Sequence, residues 1–195
     1  MNAAPTVSRE PAVPWPWQQH GRETLLDTRS YLIHRDTVTR PDGTQGVFEF
    51  HQAQLDGALT VALDEQGRIA MVRYRSYVHG EVLTPPGGNL DPGEDPLQGA
   101  RRELKEESGI TAATWSPLGE IALMTKSTAH LHMFLARDLT VGEQELTATE
   151  TGMTVEWWPL EKAVAAATDT LPGQTHRKVR YQARFDPPTG GLSHG

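Results

Sequence analysis

Apolar and polar residues alternate over residues 30–39 and again over 45–51, with Arg40-Pro41-Asp42-Gly43 between them. Period-two alternation interrupted by a Pro-Asp-Gly turn predicts a β-hairpin. Two further apolar runs, 58–63 and 68–74, flank Asp64-Glu65-Gln66-Gly67 and predict a second hairpin. Residues 116–124, 130–136 and 153–158 read as three more strands. Helical spacing appears twice. Leu97, Ala100 and Leu104 form one stripe that would face a core, and residues 160–168 follow the same period with Glu161 early. Several strands with two substantial helices predict an α/β (α+β) fold, and no internal repeat is visible.

The first helix carries strong local signals. Asp95 suits the N-cap and Pro96 the first helical position, where no N–H is needed. Gln98, three residues on, allows a capping box with Asp in place of Ser or Thr. Gly109 supplies a left-handed stop. Before the helix, Pro85-Pro86-Gly87-Gly88 and Asp91-Pro92-Gly93 predict a tight, irregular loop. Such a loop leaves backbone carbonyls and N–H groups free to meet a metal or a phosphate oxygen.

Glu103, Glu106 and Glu107 stand at i, i+3 and i+4, on one helix face. Three like charges there repel, unless a hard divalent cation such as Mg²⁺ or Mn²⁺ sits among them. The natural partner of such a site is a phosphate. Arg102, four residues before Glu106, can pair with it and orient its carboxylate. A solvated acidic helix is the plain alternative. It accounts for Arg102 and Glu106, but not for the glycines or for the distant Glu94.

Composition narrows the field. The chain has 195 residues, no cysteine, a net charge of −7 and a pI near 5.6. That length suits one domain with a small arm. Without cysteine there is no disulfide and no thiolate zinc site, which fits a cytoplasmic protein. No run is apolar enough for a membrane span, and the N-terminus lacks the apolar core of a signal peptide. The acidic balance argues against nucleic acid as a partner. No G-x-x-x-x-G-K-[ST] or H-E-x-x-H motif occurs. Residues 1–14 are rich in Ala, Pro and polar groups and are expected to be disordered. Trp15-Pro16-Trp17 opens the ordered part, and residues 186–195 read as a flexible Pro/Gly tail.

The segment from Gly88 to Ile110 resembles the Nudix box, G-x5-E-x7-R-E-U-x-E-E-x-G-U with U a bulky aliphatic. Gly88, Glu94, Arg102, Glu103, Leu104, Glu106, Glu107, Gly109 and Ile110 fill every position. Seven single-residue requirements, at roughly one in fifteen each, make a chance match on the order of one in 10⁸ per window. The likeness extends to the ADP-ribose pyrophosphatase branch through an early Trp, Pro41-Asp42-Gly43, Val72-Arg73-Tyr74-Arg75 and Trp157-Trp158-Pro159-Leu160. It covers about residues 15–168. The resemblance implies a Nudix-type α/β/α sandwich with a mixed sheet. It divides the chain into an N-terminal β arm at 15–54 and a Nudix hydrolase domain at 55–185. In this branch the arm helps form a dimer, so a homodimer is expected.

It also implies a metal-dependent pyrophosphohydrolase. Glu103 and Glu107 would be the main ligands of Mg²⁺ or Mn²⁺, with Glu106 as a further ligand or nearby base and the Gly87 carbonyl contributing. Arg102 and Glu94 would hold loop and helix together by a charge pair, with Gly88 and Gly109 structural in the motif. A catalytic base in this branch tends to come from a loop glutamate before the W-x-P-L strand. Glu143, Glu145 and Glu150 are candidates, and Glu150 is best placed relative to Trp157; a solvated acidic loop is the plain alternative.

Arg73 and Arg75 share a strand face at period two and are candidates for a bidentate phosphate clamp, although exposed strand arginines are common. Tyr31, Trp15 and Trp17 could stack on a base, with packing in the arm as the default. His130 and His132 alternate on one strand; two histidines alone make a weak metal site, and a structural or substrate-edge role is preferred. Thr84 stands where many ADP-ribose pyrophosphatases have a glutamate, and Met124-Thr125-Lys126-Ser127-Thr128 replaces a loop with a Pro-Gly pair. ADP-ribose is therefore the first expectation, with other nucleoside diphosphate conjugates close behind. The alternatives are a hydrolase of nucleoside triphosphates or dinucleotides, and a nucleotide-sugar-binding module without catalysis.

Overall fold

The structure, a computed structural model, describes residues 16–168. The expectations for residues 1–14, for Trp15 and for residues 169–195 lie outside the described residues. The strands are β1 (Gln18–Asp27), β2 (Tyr31–Thr39), β3 (Gln45–Ala53), β4 (Gly57–Ala62), β5 (Arg68–Ser76), β6 (Gly80–Thr84), β7 (Gly87–Asn89), β8 (Ile110–Ala122), β9 (His130–Val141) and β10 (Thr154–Pro159). Helix α1 (Pro96–Ser108) follows β7, helix α2 (Leu160–Thr168) follows β10, and a 3₁₀ turn spans Ala148–Glu150.

β1, β2 and β3 form an antiparallel sheet, the expected arm. The Pro41-Asp42-Gly43 hairpin closes with Gly43 N–H donating to the Arg40 carbonyl and Gly43 at φ 83°. β1 has no alternation clear enough to be read from sequence. Its pairing slips at two places, so its side chains do not keep to one face. The arm docks on the rest of the chain through β3. His51 N–H donates to the Lys126 carbonyl at 2.8 Å, and Thr128 N–H donates back to the His51 carbonyl at 3.0 Å. Trp17 packs edge-on against Phe48 inside the arm.

The remaining strands form two sheets, β10-β5-β6 and β7-β4-β9-β8. The second is mixed, because β4 runs parallel to β9 and antiparallel to β7. The hairpin expected from residues 58–63 and 68–74 does not form. Beyond one isolated bridge, Leu63 to Ile69, β4 and β5 diverge into different sheets. Both runs have the composition of buried strands, and the four-residue turn between them suits a sheet-to-sheet corner as well as a hairpin. α1 lies against both sheets. Leu104 and Ile110 are fully buried with Ala62, Ala70 and Ala136, and Val155 and Trp157 close over them. Burial of two such side chains contributes about 1.5–3 kcal/mol each. Ala100 packs with Ala58 and Leu90, and α2 rests on β10 and β5. Among the described residues no helix is long and apolar enough to cross a membrane.

Candidate active site

Helix α1 starts and stops where its sequence dictates. Asp95 Oδ1 accepts from the Leu97 and Gln98 N–H groups at 3.1 and 3.2 Å, and Pro96 opens the first turn. Gly109 ends the helix at φ 69°, its N–H donating to the Lys105 carbonyl. Residues after β9 then cover this end. Gly142 N–H donates to the Gly109 carbonyl at 2.8 Å, and Glu145 N–H to the Glu106 carbonyl at 2.9 Å. The helix is thereby fixed at both ends beneath the loop that precedes it.

That loop is more ordered than its composition predicts. Gly87–Asn89 pairs with β4, and Thr60 N–H donates to the Pro86 carbonyl. Gly87 N–H donates to Glu107 Oε2 at 2.8 Å. The expectation of wholly free backbone groups is thus corrected: the tight Pro-Pro-Gly-Gly turn brings its polar atoms onto strand and helix partners. A Cβ on Gly88 would lie 2.6 Å from Glu103 Oε1, so the glycine leaves room for that carboxylate to rest on the turn.

Arg102 is the hub. Its Nε and one terminal nitrogen donate to the two Glu94 oxygens at 3.0 and 2.9 Å, and the latter nitrogen also reaches the Asn89 carbonyl at 3.0 Å. The other terminal nitrogen donates to Glu103 at 2.8 Å and Glu106 at 3.1 Å. Glu94 in turn accepts from Asp91 N–H. The expected loop-to-helix charge pair and the Arg102–Glu106 pair are both present. The bond to adjacent Glu103 was not foreseen, because neighbours along a helix do not usually face each other. It forms because Arg102 bends toward Asn89 and Glu94.

Electrostatics single out two carboxylates. Glu103 is 8% and Glu107 7% exposed. Burial raises the Glu103 pKa, against the opposing hydrogen bond and charge of Arg102. Burial pushes Glu107 up to about 7, helped by repulsion from Glu103, Glu150 and Glu106 and opposed by the Gly87 N–H. Two buried carboxylates that resist ionisation are groups a divalent cation would stabilise as anions. Oxygen donors over a glycine cradle fit Mg²⁺ or Mn²⁺. Glu103, Glu107 and Glu106 would hold it, and it would supply charge neutralisation on a diphosphate. Glu94 is driven the other way, its pKa lowered by the Arg102 hydrogen bond.

Of the three loop glutamates, Glu150 acts on both Glu103 and Glu107 through its charge. Its Oε2 is oriented by Thr147 N–H and hydroxyl at 2.8 and 2.9 Å. Glu145 instead pairs with Lys105 at 2.8 Å. The structure thus gathers Gly87, Gly88, Glu94, Arg102, Glu103, Glu106 and Glu107, and the charge of Glu150 bears on Glu103 and Glu107. Arg73, Arg75 and Tyr31 make no hydrogen bond or ion pair with these carboxylates among the described residues. Arg73 is held by Glu156, Nε to Oε1 at 2.5 Å, across the β5–β10 pairing. Arg75 is exposed further along β5, opposite Glu81 in register. Tyr31, 39% exposed, packs edge-on against His51. Sequence reasoning missed Glu156, although its alternation with Thr154 on a strand was a usable signal for a cross-strand partner.

A mixed sheet, a glycine turn and a carboxylate-lined helix of this spacing define a phosphoanhydride hydrolase site of one class. The chain matches the NUDIX domain family over residues 54–179 and belongs to it. It falls in the ADP-ribose pyrophosphatase-like branch. It is 35% identical over 146 residues to an ADP-ribose pyrophosphatase of Mycobacterium tuberculosis, covering 72% of this chain and 70% of that one. It is 33% identical over 158 residues to the CMP-5'-(N-acetyl-N-hydroxy-3-aminopropyl)phosphonate hydrolase of Streptomyces rubellomurinus, covering 75% and 71%. The fold is similar to the crystal structure of an ADP compounds hydrolase, with a TM-score of 0.68, 20% identity, and 78% and 83% of the two chains covered. The protein is a Nudix hydrolase, of a family that generally uses divalent metal ions.

Proposed function

We propose that this enzyme uses Mg²⁺ or Mn²⁺ to hydrolyse a nucleoside diphosphate linked to a moiety X, with ADP-ribose the first candidate. One water adds across the diphosphate and one bridging P–O bond breaks, giving AMP and ribose 5-phosphate. The observation that carries the reading is the pair Glu103 and Glu107, buried against the Gly87-Gly88 turn. Glu106 stands beside them, turned by Arg102. Glu150, fixed by Thr147, is the group we assign to take the proton of the attacking water. Arg75 is the better of the two candidate phosphate clamps, because Arg73 is engaged by Glu156.

A second reading has specific support. The Streptomyces relative acts, by its name, on a CMP-linked phosphonate, and Thr84 occupies the position where a glutamate is common in ADP-ribose pyrophosphatases. The same carboxylates would serve a nucleoside monophosphate joined to a phosphonate. We also propose a cytoplasmic homodimer built through the arm, where Leu25 and Leu26 are both exposed; sedimentation velocity tests this, and a monomer at micromolar concentration would reject it.

The deciding experiment measures product release from ADP-ribose, ADP-glucose, GDP-mannose, NADH, a CMP-phosphonate, diadenosine polyphosphates and nucleoside triphosphates. Each is run with Mg²⁺ or Mn²⁺, and with Glu107→Gln as control. Metal-dependent cleavage of one conjugate, lost in Glu107→Gln, is the expected result. Saturable binding without turnover on any of them would overturn it in favour of a binding module.

A further inference from the structure

The segment between β9 and β10, residues 142–153, is held against the C-terminal end of α1 by a side chain as well as by its backbone. The last carbonyls of a helix have no partner within it. Glu145 N–H donates to the Glu106 carbonyl at 2.9 Å, and Gln144 Nε2 donates to the neighbouring Glu107 carbonyl at 2.5 Å. The approach is close. A Cβ on Gly109 would lie 2.5 Å from the Gly142 carbonyl oxygen and 2.8 Å from that of Glu143. Gln144 is half-buried between the exposed Glu143 and Glu145.

Packing does less to fix this segment. Gln144 and Leu146 line an open cleft of about 760 Å³ with Val141, Val155 and Trp157, so no filled core supports them on that side. The Lys105–Glu145 ion pair is exposed at both ends and holds little. From Thr147 onward the contacts are internal to the segment. Thr147 orients the Glu150 carboxylate, and Met153 N–H donates to the Glu150 carbonyl. Among the described residues, the hydrogen bonds that tie the segment to the end of α1 are those of Gly142, Gln144 and Glu145.

We propose that Gln144 is a positioning residue for the reaction: by capping the backbone of Glu107, it registers the loop that carries Glu150 against the helix that carries Glu103, Glu106 and Glu107. This rests on the assignment of Glu150 as the base. Glu107 is met from two directions, since Gln144 holds its carbonyl while the charge of Glu150 bears on its carboxylate. The bonds from Gly142 and Glu145 come from backbone N–H groups and fix where the segment meets the helix. The side-chain bond to the next carbonyl fixes its tilt, and it is the one a substitution can remove. A glutamine that only stabilises the helix end would make the same contact, and kinetics separates the two roles.

The test is a double-mutant cycle in the full-length protein with Mg²⁺, on ADP-ribose and on the CMP-phosphonate. Gln144→Met keeps the length of the side chain and removes the donor. It should lower kcat by about 10–10²-fold, the loss expected of a displaced catalytic group. KM and the Mg²⁺ concentration for half-maximal rate should stay within about twofold. One lost hydrogen bond should keep Tm within about 4 °C of wild type. Gln144→Asn, whose amide ends a methylene short, repeats the test if Gln144→Met does not fold. Added to Glu150→Gln, either substitution should cost no more than about a further twofold, because a displaced base and an absent base are one loss. If Gln144 acted on the helix instead, its effect would persist beside Glu150→Gln and the Mg²⁺ dependence would shift. Losses that multiply in the double variant, or full turnover in Gln144→Met, would overturn the inference alone. Full turnover in Glu150→Gln, or none in wild type on either conjugate, would remove the base assignment and the inference with it.

Discussion

A Cβ placed on Gly88 would sit 2.6 Å from Glu103 Oε1 and 2.7 Å from its carboxyl carbon, so the helix carboxylate occupies the space a side chain would take. Gly88→Ala must therefore move Glu103. Misplacing a catalytic group by an ångström can cost about 10²-fold, and a loss of that size in turnover is expected with a small change in Tm. Gly87→Ala differs in kind. Its Cβ would meet backbone, 2.3 Å from the Ala58 carbonyl oxygen and 2.9 Å from Leu59 Cα. It should break the β4–β7 pairing and destabilise by about 1–3 kcal/mol. Parallel melts and rates check the contrast; equal melting temperatures for the two variants would contradict it.

Glu107 gives the metal-free enzyme a particular pH dependence. Its pKa rises from an ordinary 4.5 to about 7, chiefly because burial penalises the charged form. The folded state therefore holds the proton more tightly than the unfolded state. The stability tied to that proton is fully present below about pH 4.5 and is lost as pH rises through about 7. At 1.36 kcal/mol per unit the ceiling is about 3 kcal/mol, or roughly 6–12 °C in Tm for a chain of this size. With EDTA, Glu107→Gln should flatten the fall across this window. Mg²⁺ should oppose it, since a cation favours the ionised carboxylate. A wild-type melting temperature that does not fall between pH 5 and 7.5 would remove Glu107 from this role.

Arg102→Lys keeps the charge and loses the fork. The guanidinium serves Glu94 with two nitrogens while also reaching Glu103, Glu106 and the Asn89 carbonyl. A lysine ammonium has three donors on a flexible stem and cannot span that set. The site is partly solvated, so the cost is placed below that of a fully buried broken pair, at about 1–3 kcal/mol. Urea unfolding measures it, and an unchanged midpoint would show that the hub is replaceable.

The Nudix helix was legible in sequence because its signals are local. N-cap, first-turn proline, apolar stripe and C-terminal glycine all lie within fifteen residues of Asp95, and the carboxylate spacing follows from helix geometry. The divergence of β4 and β5 was hidden, since adjacent buried runs with a short turn look alike in a hairpin and at a corner. The partners of Arg73 and His132 were hidden for another reason. Glu156 is 83 residues from Arg73, and Asp56 is 74 from His130, whose backbone it accepts. Only strand pairing brings them together, and pairing between strands far apart in the chain leaves no mark in a single sequence.

Arg73 and Arg75, equivalent by alternation, should separate in kinetics. Arg73 is held by Glu156, with Glu81 at 3.9 Å, so Arg73→Ala should act on the β5–β10 edge and leave KM within about twofold. Arg75 has no hydrogen bond or ion pair among the described residues. If it clamps a phosphate, Arg75→Ala should raise KM by about tenfold or more with kcat little changed, the pattern of lost uniform binding. The reverse outcome would place the clamp at Arg73 and require Glu156 to release it on substrate binding.

Glu150 is distinguished from Glu143 and Glu145 by its field on the buried pair and by its fixed orientation. In Glu150→Gln the amide oxygen can still accept from Thr147 N–H, so the 3₁₀ turn should survive. What is lost is the proton acceptor. Turnover should fall about 10²–10⁴-fold while the Mg²⁺ concentration for half-maximal rate changes little. Removing the charge also relieves repulsion on Glu107, whose pKa should move down from about 7 in the metal-free variant. Carboxyl ¹³C NMR reads that shift independently of catalysis. Glu145→Gln loses only an exposed pair with Lys105, so its rate should stay within about twofold of wild type. A large rate loss in Glu145→Gln or Glu143→Gln, with Glu150→Gln active, would reassign the base while leaving the metal-binding carboxylates where they are.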